Sequence, residues 1–199
     1  MLADVENIGK AGNITINVRD RMVVEGEGIS AFANSTDIFP SQVTATVGST
    51  GVGEGGEINI STGTLLVNDR AFITTSNFGI GKAGNINITA DSVCATNEGT
   101  ISSRTVAEAI GDGGNIKIIA DSLSLTNGSD IVTSTFYTGK AGEITINLSD
   151  SLTIYSTGDV RNVSEDNQSS EWKKGEPIIE PQGVYKLASG ELILSRECR

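Results

Sequence analysis

Short segments in which apolar and polar residues alternate recur along this chain at a nearly constant interval. Ile14-Thr15-Ile16, Ile58-Asn59-Ile60, Ile86-Asn87-Ile88, Ile116-Lys117-Ile118 and Ile144-Thr145-Ile146 each put isoleucine on one side and a polar residue on the other. A period of two marks a strand with one buried face. No stretch carries the 3.6-residue periodicity and capping residues of an amphipathic helix. Each segment follows a glycine-rich block of the form Gly-x-(Ala/Gly)-Gly-(Asn/Glu). The last glycines of the five blocks are Gly12, Gly56, Gly84, Gly114 and Gly142, spaced by 44, 28, 30 and 28 residues. The chain therefore repeats with a period near 28, and the first unit holds an insertion of about 16 residues.

Two further alternating segments complete each unit. In the fourth they are Leu123-Ser124-Leu125 and Ile131-Val132-Thr133, and in the third Val93-Cys94-Ala95 and Ile101-Ser102-Ser103. Turn signals such as Asn127-Gly128 and Glu25-Gly26 separate them. Three short strands per unit at constant phase predict an all-β chain. The fold expected is a parallel β-helix, a solenoid of about five coils of ~28 residues, in which each strand pairs with its equivalent one period on. The expected hand is right, because parallel crossovers are overwhelmingly right-handed. Stacking then lines up Ile14, Ile58, Ile86, Ile116 and Ile144 in one inward column and Ile16, Ile60, Ile88, Ile118 and Ile146 in a second. Alternation on the third segment points Thr74, Ser102 and Val132 outward, with Ser30 in the first unit, and then Ser76, Arg104 and Ser134, with Phe32.

The repeat domain spans residues 1–160, with the insertion placed near 35–52, around Ile38-Phe39-Pro40 and Val43-Thr44-Ala45-Thr46. Met22-Val23-Val24 fits the pattern only with a shift of one residue. Residues 161–176 are polar and read as a linker. Residues 177–199 read as a β-hairpin, with arms Val184-Tyr185-Lys186-Leu187 and Glu191-Leu192-Ile193-Leu194 about a turn at Ala188-Ser189-Gly190. A solenoid end exposes unpaired strand edges, so this tail is the expected cap.

The recurring Gly-Lys-Ala-Gly-Asn-Ile and Ala-Asp-Ser-Leu-Ser-Leu-Thr-Asn-Gly-Ser patterns over residues 9–160 resemble the filamentous haemagglutinin-like exoproteins. These are the secreted partners of bacterial two-partner secretion systems. Glu180-Pro181-Gln182-Gly183-Val184-Tyr185 is similar to the C-terminal end of such proteins. The resemblance implies a right-handed β-helix, export across two membranes with an outer-membrane transporter as partner, and an adhesive role against cell-surface or extracellular glycans and matrix. The opening Met1–Asn7 has neither the basic region nor the apolar stretch of a secretory signal. The expectation is a C-terminal part of a longer secreted or surface protein, with its export signal upstream.

Charge and composition narrow the chemistry. The net charge is −11, with no histidine among 199 residues. That argues against a nucleic-acid partner, which demands a basic face, and excludes histidine-based triads and imidazole zinc sites. No apolar run is long enough for a membrane-spanning helix. Two cysteines, Cys94 and Cys198, define no disulfide framework and are read as free thiols. Gly51–Gly56 and Gly79–Gly84 match G-x-G-x-x-G, but a strand follows where a dinucleotide site needs a helix. They are read as coil corners.

The second residue of each block, Lys10, Glu54, Lys82, Asp112 and Lys140, alternates in sign. Stacked coils would turn it into a ladder of opposite charges that penalises slipped registers. The insertion leaves open whether Lys10 and Glu54 meet. Asp91, Asp121 and Asp150, each followed by Ser, share one corner and are the candidates for a Ca²⁺ site, with an Asx-turn as the simpler role. Arg104 and Asp130 are the possible players for β-helix polysaccharide chemistry. Phe78, Phe136 and Tyr137 fall near one loop column and are expected to be partly buried beneath it. No catalytic residue and no cofactor is assigned. The preferred reading is a structural, adhesive rod. The rival is a β-helix carbohydrate-active enzyme or Ca²⁺-dependent glycan-binding module.

Overall fold

The computed structural model describes residues 1–29, 38–106, 108–164 and 183–187. Among them there is no helix, and the strands stack as a parallel β-solenoid of about four turns. In chain order they are β1 (Leu2–Val5), β2 (Ile8–Lys10), β3 (Ile14–Asn17), β4 (Arg21–Glu25), β5 (Glu27–Ile29) and β6 (Ile38–Pro40). Then come β7 (Gln42–Val47), β8 (Val52–Glu54), β9 (Ile58–Asn68), β10 (Phe72–Asn77), β11 (Ile80–Lys82) and β12 (Ile86–Ala95). The last are β13 (Thr100–Thr105), β14 (Ile116–Thr126), β15 (Asp130–Thr135), β16 (Ile144–Tyr155), β17 (Asp159–Ser164) and β18 (Gly183–Leu187).

Three parallel sheets form the walls. The broad sheet runs β3-β9-β12-β14-β16-β18, with β4 also on β9. A second sheet runs β1-β7-β10-β13-β15-β17. A narrow sheet, β2-β8-β11, is carried further by single bridges at Ile110 and Thr138. Equivalent residues of successive repeats pair directly: Ile14 with Ile58, Ile58 with Ile86, Ile86 with Ile116, and Ile116 with Ile144. Register is fixed because a one-residue slip would turn every isoleucine to solvent.

The two isoleucine columns point inward, and all of Ile58, Ile86, Ile88, Ile116, Ile118 and Ile146 are fully buried. Leu65, Val93, Leu123 and Leu152 continue the interior along the second arm of the broad sheet, and Val43, Ile73, Ile101 and Ile131 close it from the second sheet. β-Branched side chains suit this pleated, uniformly packed interior.

The broad sheet bends halfway along each strand, and both ends of the stack take up one extra residue there. β3 pairs Ile14 with Ile58, whereas β4 pairs Met22 with Leu65, so the offset falls from 44 to 43. This is the shift expected for Met22-Val23-Val24. At the other end Ala120 faces Leu148 but Ser122 faces Ser151, a bulge in β16.

The second sheet departs from a simple outward-polar pattern. Thr75, Ser103 and Thr133 lie on the inward side, beyond Ile73, Ile101 and Ile131, and are buried. Their hydroxyls cross the interior to the glycine corner. Thr75 Oγ1 donates to the Gly84 carbonyl at 2.6 Å and Thr133 Oγ1 to that of Gly142 at 2.9 Å. Ser103 Oγ donates to the Gly84 carbonyl at 2.9 Å and accepts the Gly114 N–H at 2.8 Å. The corner lacks strand ladders of its own, so these side chains satisfy backbone groups that burial would otherwise orphan. Ser103→Ala is expected to cost about 1–3 kcal/mol, because it leaves the buried Gly114 N–H unpaired, while the Gly84 carbonyl keeps its bond from Thr75. A urea titration with an unchanged m-value checks it.

The insertion lies earlier than expected. Residues 42–47, placed within it by the sequence, are β7, in register with β10 (Val43 with Ile73, Ala45 with Thr75). Most of the extra residues lie within 26–41, which stand where Asp69–Ala71 stand in the next level and where β5 and β6 form an antiparallel pair. Thr44 and Thr46 thus hold the outward positions assigned to Ser30 and Phe32, which lie outside the described residues. The outward residues Thr44, Thr74, Ser102, Val132, Ser76 and Ser134 are nevertheless buried.

In the tail, Gly183–Leu187 pairs in parallel with Ile144–Leu148. This strand extends the broad sheet beyond β16. The second arm of the expected hairpin, residues 191–194, and most of the linker lie outside the described residues.

Candidate functional site

The most site-like feature is a shallow groove at the corner between the narrow and broad sheets. Its floor is the corner glycines. A Cβ on Gly84 would be driven into the Gly56 carbonyl oxygen, and one on Gly56, Gly114 or Gly142 into the corresponding oxygen below it; Gly12, at the first level, meets only the Ala3 side chain. The coils can stack at strand spacing here only because these positions lack side chains. Gly53, Gly81, Gly111 and Gly139, the first glycines of the later blocks, do equal service. Gly81 has φ +141° and its Cβ would strike the Gly53 carbonyl.

One rim of the groove is the charge ladder. Lys10 Nζ lies 4.0 Å from Glu54 Oε2, so the chain closes the insertion and brings the two together. Lys82 Nζ lies 3.6 Å from Asp112 Oδ2, and Asp112 Oδ1 accepts the Lys140 backbone N–H at 3.0 Å. All of these side chains are substantially exposed, so each pair contributes about 0–1 kcal/mol. Lys82→Glu, which sets like charges on three adjacent levels, is expected to lower the unfolding free energy by about 1 kcal/mol, with most of the loss restored by molar salt. Denaturant titrations at two ionic strengths check it.

The opposite rim is an asparagine ladder that the sequence reading missed. Asn13 Oδ1 accepts the Glu57 N–H at 2.9 Å, Asn85 Oδ1 that of Asn115 at 2.9 Å, and Asn115 Oδ1 that of Glu143 at 2.8 Å. The signal was present in the fifth position of the block, which is Asn or Glu in every unit. Beside it, on the outer face, Asn87 Nδ2 donates to Asn59 Oδ1 at 2.9 Å.

A second depression follows the turns from the broad to the second sheet, between Glu27, Asp69, Arg70, Asn97, Glu98 and Asn127. Asp69, Arg70, Asn97, Glu98 and Asn127 all have φ between 49° and 64°, forming stacked two-residue left-handed turns. Asparagine tolerates that region best. Asn97 Nδ2 donates to Asn68 Oδ1 at 3.0 Å, Asn127 Nδ2 donates to Asn97 Oδ1 at 3.1 Å, and Arg70 pairs with Glu27 at 3.0 Å.

The remaining candidates are dispersed. Asp121 Oδ1 accepts a hydrogen bond from Ser149, because the β16 bulge moves Asp150 out of the Asp91–Asp121 column. Asp150 instead accepts from Ser151 at 3.3 Å. All three aspartates are exposed, and among the described residues no group of three His, Cys, Asp or Glu side chains could hold a metal ion. A thermal scan is expected to give the same midpoint in Ca²⁺ and in EDTA, to within about a degree, because a ligand held only by the folded state must raise it. Arg104 and Asp130 are not brought together: Arg104 Nε donates to Ser102 Oγ at 3.2 Å, and Asp130 pairs with Arg161 at 2.9 Å. Phe78, Phe136 and Tyr137 are not tucked beneath a loop; they are 48, 42 and 58% exposed.

Cys94, read as a free thiol, is disulfide-bonded. Its side chain faces outward between Leu66 and Ser124 yet is 7% exposed. A count of two cysteines argues against a framework of bridges, but a single bridge is compatible with it. Cys198 lies outside the described residues.

No helix among the described residues is long and apolar enough to cross a membrane. In comparisons with known proteins, no family matches the chain, and neither a curated protein nor a solved structure matches it.

Proposed function

We propose that the chain is a structural, non-enzymatic segment of a secreted, haemagglutinin-like surface exoprotein that presents a rigid, acidic rod to cells, matrix or glycans. The finer architecture belonging to this reading is a right-handed β-helix of about five coils of ~28 residues, closed by a C-terminal hairpin. An outer-membrane transporter serves the full-length protein.

The observation that carries the reading is the in-register stack of the glycine blocks. Isoleucine columns fill the inside, while the corner groove carries two polar ladders, Lys10-Glu54-Lys82-Asp112 and Asn13-Glu57-Asn85-Asn115, with one polar group per level. Such a surface offers many equivalent weak contacts at a fixed pitch rather than one enclosed pocket, so its natural mode of attachment is avidity. The disulfide at Cys94 supports an oxidising destination, where such bonds persist.

The test compares soluble chain with chain coupled at high density to beads, both offered to glycan arrays and cell-surface matrix. The reading predicts monomer binding near or below detection and a gain on the order of 100-fold or more on beads. Tight, Ca²⁺-dependent binding by the monomer, or turnover of a polysaccharide, would replace this reading with the glycan-binding or enzymatic one. Absence of binding in the multivalent format would overturn the adhesive role.

A further inference from the structure

The outer face of the narrow sheet breaks the rule followed by the broad one. On the broad sheet the outward column beside the isoleucines is Thr15, Asn59, Asn87, Lys117 and Thr145. On the narrow sheet the corresponding column is Ile8, Val52, Ile80 and Ile110, in register on four successive levels. These side chains are 88, 41, 52 and 44% exposed. Phe78 and Phe136, in the turns that enter this sheet, are exposed beside them. The result is a continuous apolar stripe, the kind of surface that marks an interaction site. Two residues further along the same levels runs the alternating ladder Lys10, Glu54, Lys82, Asp112.

We propose that this stripe is a self-association surface on which a second copy of the chain packs antiparallel, with a two-fold axis between the second and third levels. The two columns together select that arrangement. Under this symmetry the first level of one copy meets the fourth of the other, and the second meets the third. Ile8 then faces Ile110 of the second copy and Val52 faces its Ile80. In the flanking ladder Lys10 faces Asp112 and Glu54 faces Lys82. Every apolar residue meets an apolar one, and every charge meets its opposite.

The alternatives fail on position or on sign. A parallel pair related by an axis along the rod cannot match both columns, because when the stripes face each other the two ladders fall on opposite sides of the contact and no charge is paired across it. An antiparallel pair with the axis through the third level sets Lys82 against Lys82 and Glu54 against Asp112. Like-charge contacts of this kind reject the wrong register. The arrangement is isologous and closes at two copies. Because both stripes rise by the same strand spacing of about 4.8 Å per level, the side chains interdigitate along their whole length. The stripe is smaller than the roughly 800 Å² per partner of a standard stable interface, so the dimer is weak, with Kd on the order of 100 µM.

Sedimentation equilibrium of the full chain tests this. The expected result is a reversible dimer that Ile80→Glu weakens at least tenfold without moving the unfolding midpoint. Ile80→Gln gives the same comparison if the charged variant does not fold. A second arm fixes the register. In the Ile8→Cys/Ile110→Cys chain the two positions lie three levels apart, about 14 Å, beyond the reach of a disulfide within one copy. Mild oxidation should therefore yield a covalent dimer joining residue 8 of one copy to residue 110 of the other, read by peptide mass mapping. A chain that stays monomeric up to about 1 mM, a dimer indifferent to Ile80→Glu, or links only between identical positions would overturn the proposal.

Discussion

Gly81→Val should abolish the cooperative fold. Gly81 sits at φ +141°, where a side chain is strained, and its Cβ would be driven into the Gly53 carbonyl oxygen of the level below. The obstacle is backbone, so no rotamer change relieves it. Relief requires the two levels to separate, which breaks the bridges of Ile80–Lys82 to Val52–Glu54 and loosens the corner hydrogen bonds just beyond. The combined cost of positive-φ strain, steric overlap and lost ladder bonds is expected to exceed about 4 kcal/mol, a large share of the total stability of an ordinary domain. Far-UV circular dichroism and urea unfolding of the variant check it. Gly128→Ala serves as the control: its φ is +77°, but a Cβ there would make only ordinary contacts, with Glu98 at 3.5 Å and Thr157 at 3.7 Å. It should lose only about 1 kcal/mol, the conformational part alone.

The second large effect is expected at the middle of an isoleucine column. Ile116 is fully buried and has Ile86 below and Ile144 above it. Ile116→Ala should cost about 3–5 kcal/mol, because both neighbours are themselves held in sheet register and cannot close the cavity. Lys117→Ala, one residue on and facing solvent, should change stability by less than about 0.5 kcal/mol. The contrast between adjacent positions is the sharper observation, since it reports which face of the strand is inside. Paired denaturant titrations read both.

These positions were legible in the sequence because the signals that name them are local and repeated. Alternation identified the isoleucine columns, the glycine blocks identified the corners, and the one-residue shift at Met22–Val24 was visible as a mismatch in the pattern. The insertion was misplaced for a physical reason. Both Ile29–Phe32 and Val43–Val47 alternate as strands, and alternation alone cannot say which joins the second sheet. The decision comes from continuity, since Gln42–Val47 leads directly into Val52–Glu54 at the next corner. Alternation sets Thr75, Ser103 and Thr133 on the inward side, between the outward positions, but the partner of each inward hydroxyl was not legible. That partner is a carbonyl 9 or 19 residues away. The Ca²⁺ candidates looked like a column because the bulge in β16 adds one residue that the spacing of Asp-Ser pairs absorbs unnoticed. The bridge at Cys94 was hidden because cysteine count speaks to frameworks and not to single bonds.

The central claim is that each repeat is one level of a parallel stack, so that equivalent residues climb in equal steps. Spin labels placed by a thiol-independent chemistry on the outward column Thr15, Asn59, Asn87, Lys117 and Thr145 test it directly. Pulsed dipolar distances from Thr15 should grow in equal increments, with backbone separations of about 14 Å to Lys117 and about 19 Å to Thr145, one strand spacing per level. Distances that fail to rise in proportion to repeat number, or that place Thr145 nearer to Thr15 than Lys117 is, would contradict the stack and everything built on it.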